Sequence, residues 1–245
     1  MSRERVALVT GSATGIGRAV AWRLAERGYA VTVNYSRSKR EAEETADGVR
    51  DRGAKALIHP ANVADDTAVR AMVERTTAEF GGLDVLINNA ATTYFIPHVD
   101  LEGLTNQVWD DILNVNLKGT FFACRAAMPS LKSRRGNIVN IASVAGVAGS
   151  GSSIAYAASK GAVITLTKSL AKAFAPEVRV NAVAPGPVQT RWLADHQDMI
   201  AEALKTTPLK RAATAEDIAA VALFLADETT LMTGQILVAD GGRTI

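Results

Sequence analysis

The chain has 245 residues, enough for one sizeable domain with a core of its own. Its 27 Lys plus Arg against 25 Asp plus Glu leave a formal charge of +2, and no basic stretch is interleaved with aromatics, which argues against a nucleic-acid partner. The single Cys124 excludes an internal disulfide, and His59, His98 and His196 stand without Cys or Glu at ligand spacing, so no metal site is expected.

The opening stretch MSRERVALVTG lacks a signal-peptide apolar core, and no run of about 18 apolar residues follows, so the expected setting is cytoplasmic, without a membrane partner. Residues 5–10 read as a strand, 15–28 as a helix and 30–34 as a second strand, a βαβ opening. Further strand-like runs fall at 55–58, 83–88, 137–142, 178–183 and 235–238, with intervening segments long enough for crossover helices. The runs VALV, VLIN and IVNI are continuously apolar, as strands buried on both faces of a parallel sheet must be. Right-handed crossovers then give an α/β fold: a single doubly wound, Rossmann-like domain over residues 1–245 with a mainly parallel seven-stranded sheet. Residues 146–153 read as a flexible loop, and residues 188–208 as a polar, weakly helical segment that is either a mobile lid or a surface excursion.

After the first strand comes Thr10-Gly11-Ser12-Ala13-Thr14-Gly15-Ile16-Gly17. Gly11 permits a tight turn, Gly15 lets backbone approach a pyrophosphate, and Gly17 lets the helix pack closely, with the helix N-terminus supplying free N–H groups to phosphate. This TGxxxGIG pattern resembles the short-chain dehydrogenase/reductase family, and the likeness continues along almost the whole chain. Asn88-Asn89-Ala90 resembles the family's NNAG with Ala91 replacing its glycine, and Pro185-Gly186 with Thr190 resembles its PGxxxT. Thr233-Gly234 and Asp240-Gly241-Gly242 match its closing elements. The resemblance implies a nicotinamide dinucleotide held by Gly11, Thr14, Gly15, Ile16 and Gly17, by Asn89 and Ala90, and by Pro185, Gly186, Val188 and Thr190. Asn62-Val63 matches the pair that receives adenine, with Asn for Asp; the other reading of Asn62 is a cap for a helix beginning near Asp65.

At the end of the second strand, Asn34-Tyr35-Ser36-Arg37-Ser38 offers no acid for adenosine ribose hydroxyls. Arg37, with Lys39 or Arg40 beyond it, and Ser36 or Ser38 suit a 2′-phosphate, so NADP(H) is expected, with NAD(H) the alternative; solvated charges opening a helix over 39–52 are the competing reading.

Tyr156 and Lys160 stand one turn apart on a helix expected to continue through Ala175. A nearby ammonium favours phenolate and makes tyrosine a usable acid–base group. Ser143 follows the strand 137–142, so its hydroxyl can hold a carbonyl oxygen beside the phenol. Family resemblance adds Asn116, implied to hold a water linking the lysine to solvent, which completes Asn116, Ser143, Tyr156 and Lys160 as the implied catalytic set, with Tyr156 and Lys160 also contacting cofactor. The expected reaction is metal-free hydride transfer between nicotinamide and a carbonyl or secondary alcohol.

The likeness is greatest to the 3-oxoacyl-carrier-protein reductase type, so a small-molecule ketone or a carrier-protein thioester is the expected substrate. Lys132-Ser133-Arg134-Arg135 reads as a docking patch for an acidic carrier or, more simply, as a solvated helix end. Thr92, Thr93, Tyr94, Phe95, Gly149, Trp192 and Leu193 are the candidate pocket residues. An NAD-dependent alcohol or sugar dehydrogenase, and a nucleotide-sensing regulator without turnover, remain the alternatives. The family's habit implies a homotetramer through segment 235–239 with helix 215–226 and through helix 155–175.

Overall fold

In this computed structural model, which describes residues 3–245, the alternating apolar runs form seven strands: β1 (Arg5–Val9), β2 (Tyr29–Tyr35), β3 (Ala56–Pro60), β4 (Val85–Asn88), β5 (Asn137–Ile141), β6 (Arg179–Pro185) and β7 (Ile236–Ala239). Their order is β3-β2-β1-β4-β5-β6-β7, and every pairing is parallel, not merely most of them. The strand order switches direction between β1 and β4, which opens a crevice at the carboxyl ends of the strands.

The helices are α1 (Gly15–Glu26), α2 (Lys39–Arg50), α3 (Asp66–Phe80), α4 (Asn106–Leu113), α5 (Thr120–Arg134), α6 (Ala145–Ala148), α7 (Ile154–Phe174), α8 (Gln197–Thr206) and α9 (Ala215–Leu223). Alternation along β1 divides the core: Ala7 and Val9 pack with α1, α2 and α9, whereas Val6 and Leu8 pack with α3, α5 and α7. Burying one such large side chain is worth roughly 1.5–3 kcal/mol, against about 0–1 kcal/mol for an exposed ion pair such as Lys39–Glu43. The two apolar layers therefore fix the frame that carries the site. Among the described residues no helix is long and apolar enough to cross a membrane.

All seven expected strands are present, with ends shifted by one or two residues. The third runs on to Pro60, which the edge of a sheet tolerates because proline has no N–H to offer a further strand. The expected helix 215–226 stops at Leu223 and continues as a π-helical turn, Phe224–Glu228. Segment 146–153 is not loose throughout. Its start belongs to α6, and Gly146 approaches α7 so closely that a Cβ there would lie 2.4 Å from the Lys160 carbonyl carbon. Segment 188–208 holds a 3₁₀ turn, Arg191–Leu193, and then α8, which buries Ile200 and Ala203.

Candidate active site

Gly11 and Gly15 adopt φ of +60° and +57°, a region that costs little only for glycine. A Cβ on Gly11 would meet the Ala90 Cα at 2.8 Å, and one on Gly15 would meet the Thr190 Cγ2 at 3.4 Å. The loop is thus a cradle that has no room for a side chain at Gly11. Thr14 begins α1 without a side-chain cap, and the first turn carries no acid, so the free N–H groups and the positive end of the helix dipole suit the pyrophosphate of a dinucleotide. Thr14 and Ile16 line the cleft, whereas Gly17 does not; a Cβ there would meet Asn89 Nδ2 at 2.5 Å and the Gly11 carbonyl at 2.7 Å. Its role is to let α1 lie against its own loop.

Two asparagines fasten the cradle. Asn89 Nδ2 donates to the carbonyls of Thr10 (3.0 Å) and Gly11 (2.9 Å). Asn34 Oδ1 accepts from the Gly11 N–H at 2.9 Å while its Nδ2 donates to the Ala61 carbonyl at 3.1 Å. Sequence reading passed over Asn34 as simply not an acid. A lone amide inside the buried run VTVNY was the available signal, because a buried polar group needs partners.

At the adenosine end, Ser36, Arg37 and Ser38 line the cleft beside Asn62 and Val63. Asn62 does not cap α3: its Oδ1 accepts from the Ala64 N–H, and Asp65 caps the helix through the N–H groups of Thr67 and Ala68. Lys39 and Arg40 lie outside the cleft and pair along α2 with Glu43 and Glu44 at 3.8 and 3.7 Å. Arg37 makes no ion pair among the described residues.

At the other end, the Ser153 side chain caps α7 by accepting from the Tyr156 N–H at 3.2 Å, which sets the phenol over the carboxyl end of β5. The Tyr156 phenol and the Ser143 side chain line the same cleft, and Ser143 Oγ accepts from the Ala145 N–H at 3.1 Å. Lys160 Nζ lies 5.7 Å from the Tyr156 ring centroid and donates to the Ile141 carbonyl at 2.7 Å. Burial pushes the phenol up to about 12, with the nearby Ser143 acting in the opposite direction, and pulls the ammonium down to about 8. The direction is thus opposite to the downward shift expected from the lysine, and its cause is burial.

Asn116 sits in a π-helical turn, Asn114–Gly119, between α4 and α5, and is 1% exposed. Its Oδ1 accepts from the Thr92 N–H at 2.8 Å, and its Nδ2 donates to the Thr92 carbonyl and to Ser159 Oγ, both at 3.0 Å. Both Nδ2 hydrogens are thus engaged, and Oδ1 accepts one bond. Asn116 ties the strand-end loop to the residue beside Lys160.

Pro185, Gly186, Val188 and Thr190 line the cleft after β6. Gly186 is pinned by its N–H to the Ala239 carbonyl (3.0 Å) and Val188 by a bridge to Ala213. Of the expected pocket residues, Thr92, Tyr94, Phe95, Trp192 and Leu193 line the cleft. Thr93 does not, because its hydroxyl bonds Ser152 Oγ at 2.6 Å, and Gly149 ends α6 with φ +65°. Trp192 meets the Tyr156 ring edge-on at 6.1 Å, and Phe95 stacks on His196 at 3.6 Å. The Tyr94 hydroxyl donates to Asp111 at 2.6 Å, which raises its pKa. Arg191 and Arg243 also line the cleft and were not singled out by sequence reading.

A family model described as Enoyl-(Acyl carrier protein) reductase matches residues 11–244. A granaticin polyketide synthase protein of Streptomyces violaceoruber that carries the name ketoacyl reductase 2 is 46% identical over 241 residues, 97% of this chain and 95% of that one. The 3-oxoacyl-[acyl-carrier-protein] reductase FabG of Staphylococcus aureus is 40% identical over 246 residues, 99% of each chain. A solved short chain dehydrogenase from Burkholderia cenocepacia in complex with NADP matches 99% of each chain, with a TM-score of 0.93 and 34% identity.

Proposed function

The chain belongs to the short-chain dehydrogenase/reductase family, and from that premise we propose that it is an NADP(H)-dependent ketoreductase acting on a 3-oxoacyl thioester or a small ketone. The observation that carries the reading is that Ser143, Tyr156 and Lys160 line the same cleft as the glycine cradle, with Lys160 Nζ 5.7 Å from the Tyr156 ring centroid. Bound there, the nicotinamide supplies a hydride at its C4. The Tyr156 hydroxyl donates its proton to the substrate carbonyl oxygen as charge grows on it, and the Ser143 hydroxyl donates a hydrogen bond to the same oxygen. In the oxidative direction Tyr156 takes the proton back. While charged, Lys160 favours the phenolate that proton donation leaves behind and holds the nicotinamide ribose. Asn116 keeps the loop and α7 in register through Thr92 and Ser159.

NADP(H) preference rests on Arg37, which faces the cleft where the adenosine ribose would lie and makes no ion pair among the described residues. A charge-assisted contact is worth roughly 1.5–3 kcal/mol, about ten- to a hundredfold in affinity. Arg37→Ala should weaken NADPH by that factor and spare NADH. The deciding experiment measures initial rates with both reduced cofactors on a 3-oxoacyl thioester, small ketones and a 2-enoyl thioester, then repeats the cofactor titrations with Arg37→Ala. Turnover of the enoyl thioester alone, or tighter binding of NADH by the unsubstituted protein, would refute the corresponding part of the reading.

A carrier protein would not dock on Lys132–Arg135. That run ends α5 at the amino edge of β5, away from Ser143, and Arg134 is turned inward onto the Gly81 carbonyl. A homotetramer is supported by the unpaired outer edge of β7, where Val238 is exposed, and by exposed Leu231 and Ile245. The α7 surface supports it less, because Val163, Leu170 and Ala171 face inward. Light scattering at micromolar concentration should give an oligomer, and a stable monomer would refute it.

A further inference from the structure

The chain leaving β6 touches three parts of the cleft with three consecutive residues. Thr190 faces Gly15 of the cradle, and Trp192 meets the Tyr156 ring. Between them Arg191 reaches across to the start of α2, where its Nη1 lies 3.1 Å from Glu41 Oε1 and its Nη2 donates to Ser38 Oγ at 3.3 Å. Ser38 is on the wall that also presents Ser36 and Arg37, so this guanidinium stands at the expected 2′-phosphate position before any phosphate arrives.

The ion pair is too weak to be a fixed strut. Arg191 is 62% exposed and Glu41 26%, and such pairs are worth about 0–1 kcal/mol. A phosphate offers a guanidinium more acceptor oxygens and more charge than a carboxylate and outcompetes it readily. Glu41 in turn is the only acid among residues 34–42, and it opposes a second negative charge unless a cation stands between them.

We propose that Arg191 is a second ligand for the 2′-phosphate of NADP(H), held ready by Glu41, and that exchanging carboxylate for phosphate fixes the neighbouring Trp192 beside Tyr156. Arg37 approaches the phosphate from the wall and Arg191 from the opposite side of the cleft. Cofactor identity is thereby relayed to the ketone pocket, since residues 188–206 carry both Arg191 and the pocket residues Trp192 and Leu193. The assignment rests on the NADP(H) reading above.

The test titrates NADPH and NADH without ketone, by nicotinamide fluorescence, into the unsubstituted protein, Arg191→Ala and Glu41→Gln. Arg191→Ala should weaken NADPH about tenfold and change NADH less than about twofold, as expected for loss of one charge-assisted contact. Glu41→Gln should tighten NADPH severalfold and leave NADH alone. Hydrogen exchange over residues 188–206 should be slower with saturating NADPH than with saturating NADH, and Arg191→Ala should remove that difference. Equal effects of Arg191→Ala on both cofactors, or weakened NADPH binding in Glu41→Gln, would overturn the assignment while leaving the NADP(H) reading standing. Tighter NADH than NADPH binding by the unsubstituted protein would overturn both.

Discussion

Tyr156→Phe should lower kcat for ketone reduction by at least about a hundredfold, the scale on which a positioned general acid contributes, while NADPH affinity stays within about twofold. Only the hydroxyl is lost. The phenylalanine ring keeps the place against Trp192, and Ser153 still caps α7. Stopped-flow single turnover with saturating NADPH separates chemistry from cofactor binding, and a variant that retains the original rate would remove Tyr156 from the mechanism. The pH profile gives a second readout. With the phenol pushed up to about 12, Tyr156 is protonated at neutral pH and ready to donate, which suits reduction. Lys160 is charged below about 8 and loses its charge above it, and with it goes the support for phenolate. Reduction in the unsubstituted protein should therefore fall as pH rises through about 8, and a rate that stays flat across that range would remove the Lys160 charge from the mechanism.

The fold was legible because a doubly wound sheet writes itself into sequence twice, as apolar strands buried on both faces and as a glycine loop between the first strand and helix. Gly11, Gly15, Ser143, Tyr156 and Lys160 were readable for a related reason: each follows a strand end or stands at helical spacing, so local pattern fixes its neighbourhood. What local pattern could not give were interactions across the cleft. Asn34 meets Gly11 over a separation of 23 residues, and Arg191 meets Glu41 over 150. Neither pair has a spacing that periodicity could reveal. Asn116 was readable as a position but not as a set of bonds, because its partners Thr92 and Ser159 come from different elements that meet only when α7 packs beside the π-helical turn. Electrostatics misled in one place. Spacing alone puts an ammonium beside a phenol, whereas the folded chain also removes both from water, and burial sets the direction of both shifts.

Lys160→Met should abolish useful turnover and yet raise stability at neutral pH. Lys160 is 4% exposed, and among the described residues its ammonium bonds only the Ile141 carbonyl, so the folded state holds an ammonium with little solvation. Its folded pKa near 8 lies below the unfolded value of about 10.4, so between those values the unfolded chain binds more protons and stability rises with pH. Below about 8 both states are protonated and the full cost of burial remains. The fall from about 10.4 to about 8 corresponds to about 3 kcal/mol, from which loss of the Ile141 bond subtracts about 1 kcal/mol. A net gain of about 1–3 kcal/mol is expected at pH 7, or roughly 2–4 °C in Tm per kcal/mol for a chain of this size. Thermal melts of both proteins at pH 7 and pH 10 provide the check: the methionine variant should melt higher at pH 7, and its advantage should shrink toward pH 10 as the lysine becomes neutral. A variant that melts lower at pH 7, or an advantage that grows with pH, would mean that the ammonium is stabilised in place, and the burial argument for Lys160 would fail. The expected opposition of stability and turnover follows from the role proposed for this side chain, since a charge that costs the fold free energy is the same charge that would hold the ribose and steady the phenolate during reaction.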